Sequence, residues 1–344
     1  MSNLLDTQLT YKPVHYPEAL EFWNKQQQMH WLSKEVDFNE EVKNWWHALT
    51  EGQRTFLSKI FRFFTQTDVD VASAYLDKFM LIFGGHPVVK MMMTTFANTE
   101  TIHIEAYAKV LETVGMPDSE FEAFKQIKQM MAKHDYINSF DVEEAAYVLK
   151  WPLMHREEEV LQAKRDVARA LAAYSAFTEG LSLFSSFVML LAFPKNGLMK
   201  GMGKIVEWSM RDEQLHVEGM TWLFRTFIKE NPEIWTDEFK KEIYDIVREV
   251  VKLEDAFIDL CFKEAGEIPD LTPEKVKKYI RFIADQRLAD LGLKGNWHVK
   301  ENPLPWVEWM LMTSHTNFFE ARVTEYAKGV DDQSQWTKER AYAF

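Results

Sequence analysis

Apolar residues recur at spacings of three and four along most of this chain. Over 51–83, Leu57, Ile60, Phe61, Phe64, Val71 and Tyr75 form one such stripe, the pattern of a helix with one buried face. Gly84-Gly85-His86-Pro87 breaks it. A second long helix is expected over 88–114 and ends at Gly115-Met116-Pro117. A third runs from Arg156 to about 193, and after the turn Pro194-Lys195-Asn196-Gly197 a fourth covers 198–229. Further helices are expected at 16–30, 118–134, 142–154, 236–266, 273–290 and 306–326. Asp37 or Asn39 is placed to cap the helix that contains Trp45 and Trp46. Residues 1–15 read as an irregular arm, and the polar segment after Gly329 reads as a tail. There is no repeat of solenoid period and no linker that divides the chain. The simplest architecture is all-α: four long core helices with others around them, one domain over 1–328 and a flexible tail over 329–344.

Composition supports this reading. Of 344 residues, 47% are hydrophobic, with 13 Gly and 11 Pro. Few turn-formers and ample apolar content suit long helices around a large core. The net charge of −13 argues against nucleic acid as a partner. The single Cys261 excludes a disulfide framework and any multi-cysteine zinc site, and it suits a reducing, cytoplasmic setting. The first residues, MSNLLDTQLTYKP, have neither the basic start nor the apolar run of a signal peptide. The most apolar piece, LSLFSSFVMLLAF at 181–193, is shorter than the ~18 residues a membrane span needs, so no span is expected.

The chemistry lies in polar residues that interrupt the apolar faces. Glu100-Thr101-Ile102-His103 sits mid-way along the second long helix, and Glu213-Gln214-Leu215-His216 mid-way along the fourth. Residues three apart share a helix face, so each Glu and His aim at a common point. In a Glu-rich chain with 10 His, one such pair arises by chance, and a buried Glu–His hydrogen bond would account for it. Two pairs set among apolar or small residues ask for a partner of opposite charge. The neighbours are Phe96, Ala97, Ile102 and Ala106 in one case, and Trp208, Met210, Leu215 and Met220 in the other. Glu179 is the sole charged residue between Tyr174 and Leu191. A carboxylate there needs a cation, either a metal ion or an ion-pair partner.

The first long helix offers Asp68 and Asp70, which point about 200° apart, so one of them can face the centre. Asp70 has the small neighbours Thr67, Ser73 and Ala74, whereas Asp68 shares its face with Phe64, Val71 and Tyr75. Room for ions favours Asp70. One Asp, three Glu and two His from four helices match a di-metal carboxylate site. Such ligands suit iron or manganese better than zinc or copper. Tyr107 follows His103 by one helical turn, open to core packing or to a redox role beside the metals.

Several motifs then fall in order. They are His30-Trp31 followed by Lys34-Glu35-Val36-Asp37; the Phe63-Phe64 helix with its acid; Glu100-Thr101-Ile102-His103 with Tyr107; and Thr178-Glu179-Gly180 with Phe184 and Phe187. Arg211-Asp212-Glu213 with His216 follows, then Asn317-Phe318-Phe319-Glu320, Arg322 and Glu325-Tyr326. In these the chain resembles, over nearly its full length, the small (β) subunit of class I ribonucleotide reductase. The resemblance implies a ferritin-like bundle whose centre holds two Fe, two Mn or a Mn/Fe pair. It implies that the centre reacts with an oxygen species and oxidises Tyr107 to a radical. The radical would pass by way of Trp31, Asp212 and Tyr326 to a Cys of a separate large (α) subunit, which reduces ribonucleotides to deoxyribonucleotides. The tail at 329–344 would dock on that subunit. A homodimer is implied, and a flavoprotein activase where superoxide is the oxidant. Ungapped alignment from Phe63-Phe64 favours Asp68, against the packing argument for Asp70. A stand-alone di-metal oxidase or oxygenase, or a ferritin-like iron-binding protein, would share the ligands. Tyr107, Trp31, Asp212 and Tyr326 set the first reading apart.

Overall fold

The computed structural model describes residues 3–311. The chain forms two compact units, Met1–Leu304 and Pro305–Phe344. Of the second unit, 305–311 are described and are helical. Tyr326, the expected domain end at 328 and the tail at 329–344 lie outside the described residues.

The first unit is built from helices; among its described residues the sole β feature is an isolated bridge between Ile268 and Leu271. Helix α1 spans Pro17–Gln28. Helix α2, Glu51–Ser73, runs on through a π-helical stretch, Ala74–Phe79, and a last turn, Met80–Phe83. Helix α3 is Pro87–Thr113, α4 Lys128–Asn138 and α5 Glu143–Lys150. Helix α6, Glu157–Lys195, is continuous but π-helical over Ala172–Ser182. Helices α7, Lys200–Glu230, α8, Asp237–Phe262, and α9, Pro273–Asp290, follow.

Local sequence explains where these helices start and stop. Thr50 and Gln53 cap the start of α2 reciprocally, through Gln53 N–H to Thr50 Oγ1 at 3.2 Å and Thr50 N–H to Gln53 Oε1 at 3.0 Å. Pro87 and Pro273 occupy first turns, where a missing N–H costs nothing. Between α2 and α3, Gly85 leaves room for the N-terminal arm: a Cβ there would stand 2.5 Å from the Asp6 carbonyl oxygen. The start of α7 is capped from a distance: Met202 N–H donates to the buried Glu41 carboxylate at 3.0 Å, an acid at the positive end of the helix dipole.

Two expected helices are divided. The one at 118–134 breaks at Ile127, whose backbone is extended, as Phe124 turns inward against Phe63 and His134. The one at 142–154 ends at Trp151, because a residue before proline, here Pro152, is disfavoured in the helical region.

α2 lies along α3, and α6 along α7; α3 also meets α7, and α2 meets the C-terminal part of α6. These four form the core, with α1 on the α3–α7 side and α8 and α9 against α6. The window of α6 apolar enough to cross a membrane is fully buried by these neighbours, which marks it as the central core helix.

Candidate metal centre

Each of the four core helices sends carboxylates or imidazoles to one place. Glu100 and His103 come from α3, Glu213 and His216 from α7, Glu179 from α6 and Asp68 from α2. All six are at most 1% exposed. Their ligand atoms form two overlapping groups, Asp68, Glu100 and His103, and Glu100, Glu179, Glu213 and His216, each within 4.8 Å. Glu100 belongs to both, so it can bridge two ions.

The state of these atoms argues for cations. Both oxygens of Asp68, Glu100 and Glu213, Nδ1 of His103 and both ring nitrogens of His216 are buried without an aligned hydrogen-bond partner. They nevertheless crowd together. His216 Nδ1 stands 2.8 Å from Glu100 Oε1 and 3.5 Å from Glu213 Oε2, and His103 Nδ1 stands 3.1 Å from Glu213 Oε1. Folded interiors leave few polar atoms unsatisfied, and four carboxylates packed together are tolerable when cations or protons neutralise them. The donor set of oxygen and imidazole fits a pair of Fe or Mn ions.

The electrostatics describe the same site with protons in place of metal. Burial, then the Glu100 charge, holds the Asp68 carboxyl well above the usual range. Burial pushes Glu179 up to about 8. Burial opposes charging His103 and His216, but the surrounding carboxylates outweigh it and hold both imidazoles well above their ordinary value. Glu100 is also penalised by burial, yet His103 and His216 draw it below the usual range.

Beside the cluster, a buried hydrogen-bonded chain runs from His103 to Trp31. His103 Nε2 lies 3.3 Å from Asp212 Oδ2, which accepts the Trp31 indole N–H at 2.7 Å. Asp212 is fully buried. Despite the burial penalty, its bonds from His103, the Arg211 charge and Trp31 keep it below the normal carboxylate range. With a metal ion bound, an ionised Asp212 would set the His103 tautomer: Nε2 would keep its proton and Nδ1 would offer its lone pair to the ion. Gln26 and Arg211 complete the shell of Asp212, each 3.3 Å from Oδ1. The Trp31 ring stacks at 5.9 Å on His103.

Tyr107 is fully buried and meets Phe64 edge-on at 4.5 Å. Burial and the Asp68 charge hold its phenol well above the usual value, so it stays protonated. On the other flank, the Tyr75 hydroxyl donates to Glu179 Oε1 at 2.7 Å.

Comparison with known proteins places the chain in a family. The family model described as ribonucleotide reductase, small chain, matches residues 8–303. The chain belongs to the ribonucleotide reductase small-subunit family. It is 42% identical to the probable ribonucleoside-diphosphate reductase small subunit 376L of Invertebrate iridescent virus 6, with 98% of each chain covered. In fold it is similar to the ribonucleotide reductase R2 subunit from Clostridium botulinum, with a TM-score of 0.76, 21% identity and 88% and 91% of the two chains covered. It is similar also to the dimanganese(II)-NrdF of Streptococcus sanguinis, with a TM-score of 0.71, 17% identity and 89% and 99% covered. As a ribonucleoside-diphosphate reductase small subunit, the chain works with a large subunit.

Within this family setting, one expectation needs correction. Asp70, favoured on packing grounds, lies outside the cluster. It is partly exposed and pairs with His134 Nδ1 at 2.7 Å and Gln66 Nε2 at 3.0 Å. The small residues beside it do not mark room for ions: His134 of α4 reaches Asp70 there, and Ser73 is exposed. The crowded face of Asp68 is crowded because it is the core face. Tyr75 was legible in the sequence as part of the apolar stripe of α2, and its polar end was missed. Its seven-residue spacing from Asp68, two turns along one face, was the available signal. Gln26 and Arg211, the partners of Asp212, carried no such signal.

Proposed function

We propose that this small subunit generates and exports a radical in the manner of its family. Asp68, Glu100 and His103 would hold one metal ion, and Glu100, Glu179, Glu213 and His216 the other, as two Fe, two Mn or a mixed pair. When bound, such a pair supplies a one-electron oxidant after reaction with an oxygen species. Tyr107, kept protonated and away from water, is the residue oxidised. His103, Asp212 and Trp31 carry the electron and proton traffic between the cluster and the outside. Tyr326 and the tail at 329–344 take the last step to the large subunit. A homodimer, a flavoprotein activase and a cytoplasmic setting, to which the single unbridged Cys261 is suited, complete the proposal.

The observation that carries it is the continuous chain His103–Asp212–Trp31 joined to a site that also buries Tyr107. A storage protein or a stand-alone oxidase has no need of a conduit leading away from its metals. Electron paramagnetic resonance after metal loading and oxidation tests the proposal. Wild type is expected to show a long-lived tyrosyl signal, which Tyr107→Phe loses at unchanged metal content. Full metal uptake with no tyrosyl signal in wild type would overturn it.

A further inference from the structure

Two buried tyrosines flank the cluster, and the function proposed above uses one. Tyr75 is 2% exposed and its hydroxyl donates to Glu179 Oε1 at 2.7 Å. Its ring meets His216 edge-on at 6.1 Å and Phe96 at 5.9 Å. Both ends of this hydrogen bond come from irregular stretches, Tyr75 from the π-helical Ala74–Phe79 and Glu179 from the π-helical Ala172–Ser182. Such wide turns gather at functional sites. A residue that merely filled this space could be Phe, as at Phe56, Phe61 and Phe64 on the same helix, all buried. The phenol oxygen is an added polar atom, directed at a candidate ligand.

Each tyrosine attends a different ligand group. Tyr107 stands on α3 one turn beyond His103, of the first group. Tyr75 is bonded to Glu179, of the second. The cluster therefore has an oxidisable side chain on either side, and once metal has displaced the Glu179 proton the one at Tyr75 has a proton acceptor in contact.

We propose that Tyr75 is a second electron donor to the centre, with Glu179 Oε1 as its proton acceptor. One electron leaves the phenol for the oxidised di-metal centre, which is reduced by one electron. The phenolic proton crosses the hydrogen bond to Glu179, and a neutral tyrosyl radical remains. A buried phenol that lost the electron alone would become an unsolvated cation; Glu179 removes that obstacle. The same contact makes the step readily reversible, because the proton waits one hydrogen bond away and returns with the electron. The Tyr107 hydroxyl has Ser209 beside it and no carboxylate in hydrogen bond, so its radical has no carboxylic acid one hydrogen bond away to return the proton and lasts longer. Tyr75 thus acts as a transient donor and Tyr107 as the residue where the radical settles. This inference rests on reading the cluster as a radical-generating centre.

The test is rapid freeze-quench electron paramagnetic resonance on protein loaded with Fe(II) and mixed with O2. Wild type, Tyr107→Phe and Tyr75→Phe/Tyr107→Phe are compared at equal metal content. Both substitutions keep the ring and hence the packing. Tyr107→Phe is expected to give a tyrosyl signal that decays faster than that of wild type and acquires an exchangeable-deuteron coupling in D2O. The double variant is expected to lose it. A tyrosyl signal absent from Tyr107→Phe, replaced there by a tryptophan signal alone, or surviving in the double variant would overturn the role of Tyr75 and leave Tyr107 untouched. A wild type without any tyrosyl signal would overturn both.

Discussion

Lys133→Met is expected to destabilise the protein by about 3–5 kcal/mol, the cost of removing one partner from a buried ion pair. Lys133 is 6% exposed, with Nζ 2.6 Å from the fully buried Glu254 and over the rings of Phe63 at 4.6 Å and Phe257 at 4.1 Å. Glu254 also accepts the hydroxyls of Ser182 and Ser185. Ser182 ends the π-helical stretch that carries Glu179, so the pair pins the segment on which a candidate ligand stands. Met keeps the stem and removes the ammonium, leaving the Glu254 charge with two serines alone. Unfolding entropy near 2.1 cal/mol/K per residue, over roughly 300 residues, converts that cost to a fall in Tm of about 5–8 °C. Lys133→Met/Glu254→Gln removes both charges and is expected to recover most of the loss, because paired charges replaced together cost little. Scanning calorimetry on the metal-free protein reads both variants. A single variant within about 1 °C of wild type, or a double variant no better than the single, would refute the reasoning.

Other outcomes follow from the site. Asp68→Ala should lower Mn(II) uptake, read by magnetic resonance titration, while Asp70→Ala leaves it unchanged; the reverse would return Asp70 to the cluster. Asp212→Asn, compared at metal content restored to that of wild type, should reduce turnover with the large subunit by about 10–100-fold, the usual cost of a lost orienting partner. Undiminished turnover would remove Asp212 from the conduit. In the metal-free protein, the native state holds protons on Asp68 and Glu179, the latter up to about pH 8, that the unfolded chain gives up near its ordinary carboxylate values. Stability therefore falls as pH rises across this window. The raised imidazoles act in the same direction, losing their contribution as pH climbs through their folded values. The depressed Glu100 and Asp212 act the other way, but only in acid, around and below the ordinary carboxylate values. Metal ions displace the raised protons, so the Tm gap between metal-loaded and metal-free protein should widen from pH 5.5 to 8. A constant or narrowing gap in calorimetry would count against the assignment.

What the sequence determined by itself is whatever depends on spacing along one helix. The turns at Gly84-Gly85 and Pro194–Gly197, the pairing of Glu100 with His103 and of Glu213 with His216, and the isolation of Glu179 in an apolar run are local facts. Helix geometry turns a three-residue spacing into a shared face without reference to the rest of the chain. Which face of α2 turns inward is not such a fact. It depends on how α2 rotates against α3 and α6, and that packing buried Asp68 and sent Asp70 outward to His134. The contacts that give the site its chemical direction are also long-range. Trp31 meets Asp212 across 181 residues, and Tyr75 meets Glu179 across 104. No periodicity encodes these pairs, because each is a meeting of side chains from separately positioned helices, settled when the four helices close around one buried cluster of charge.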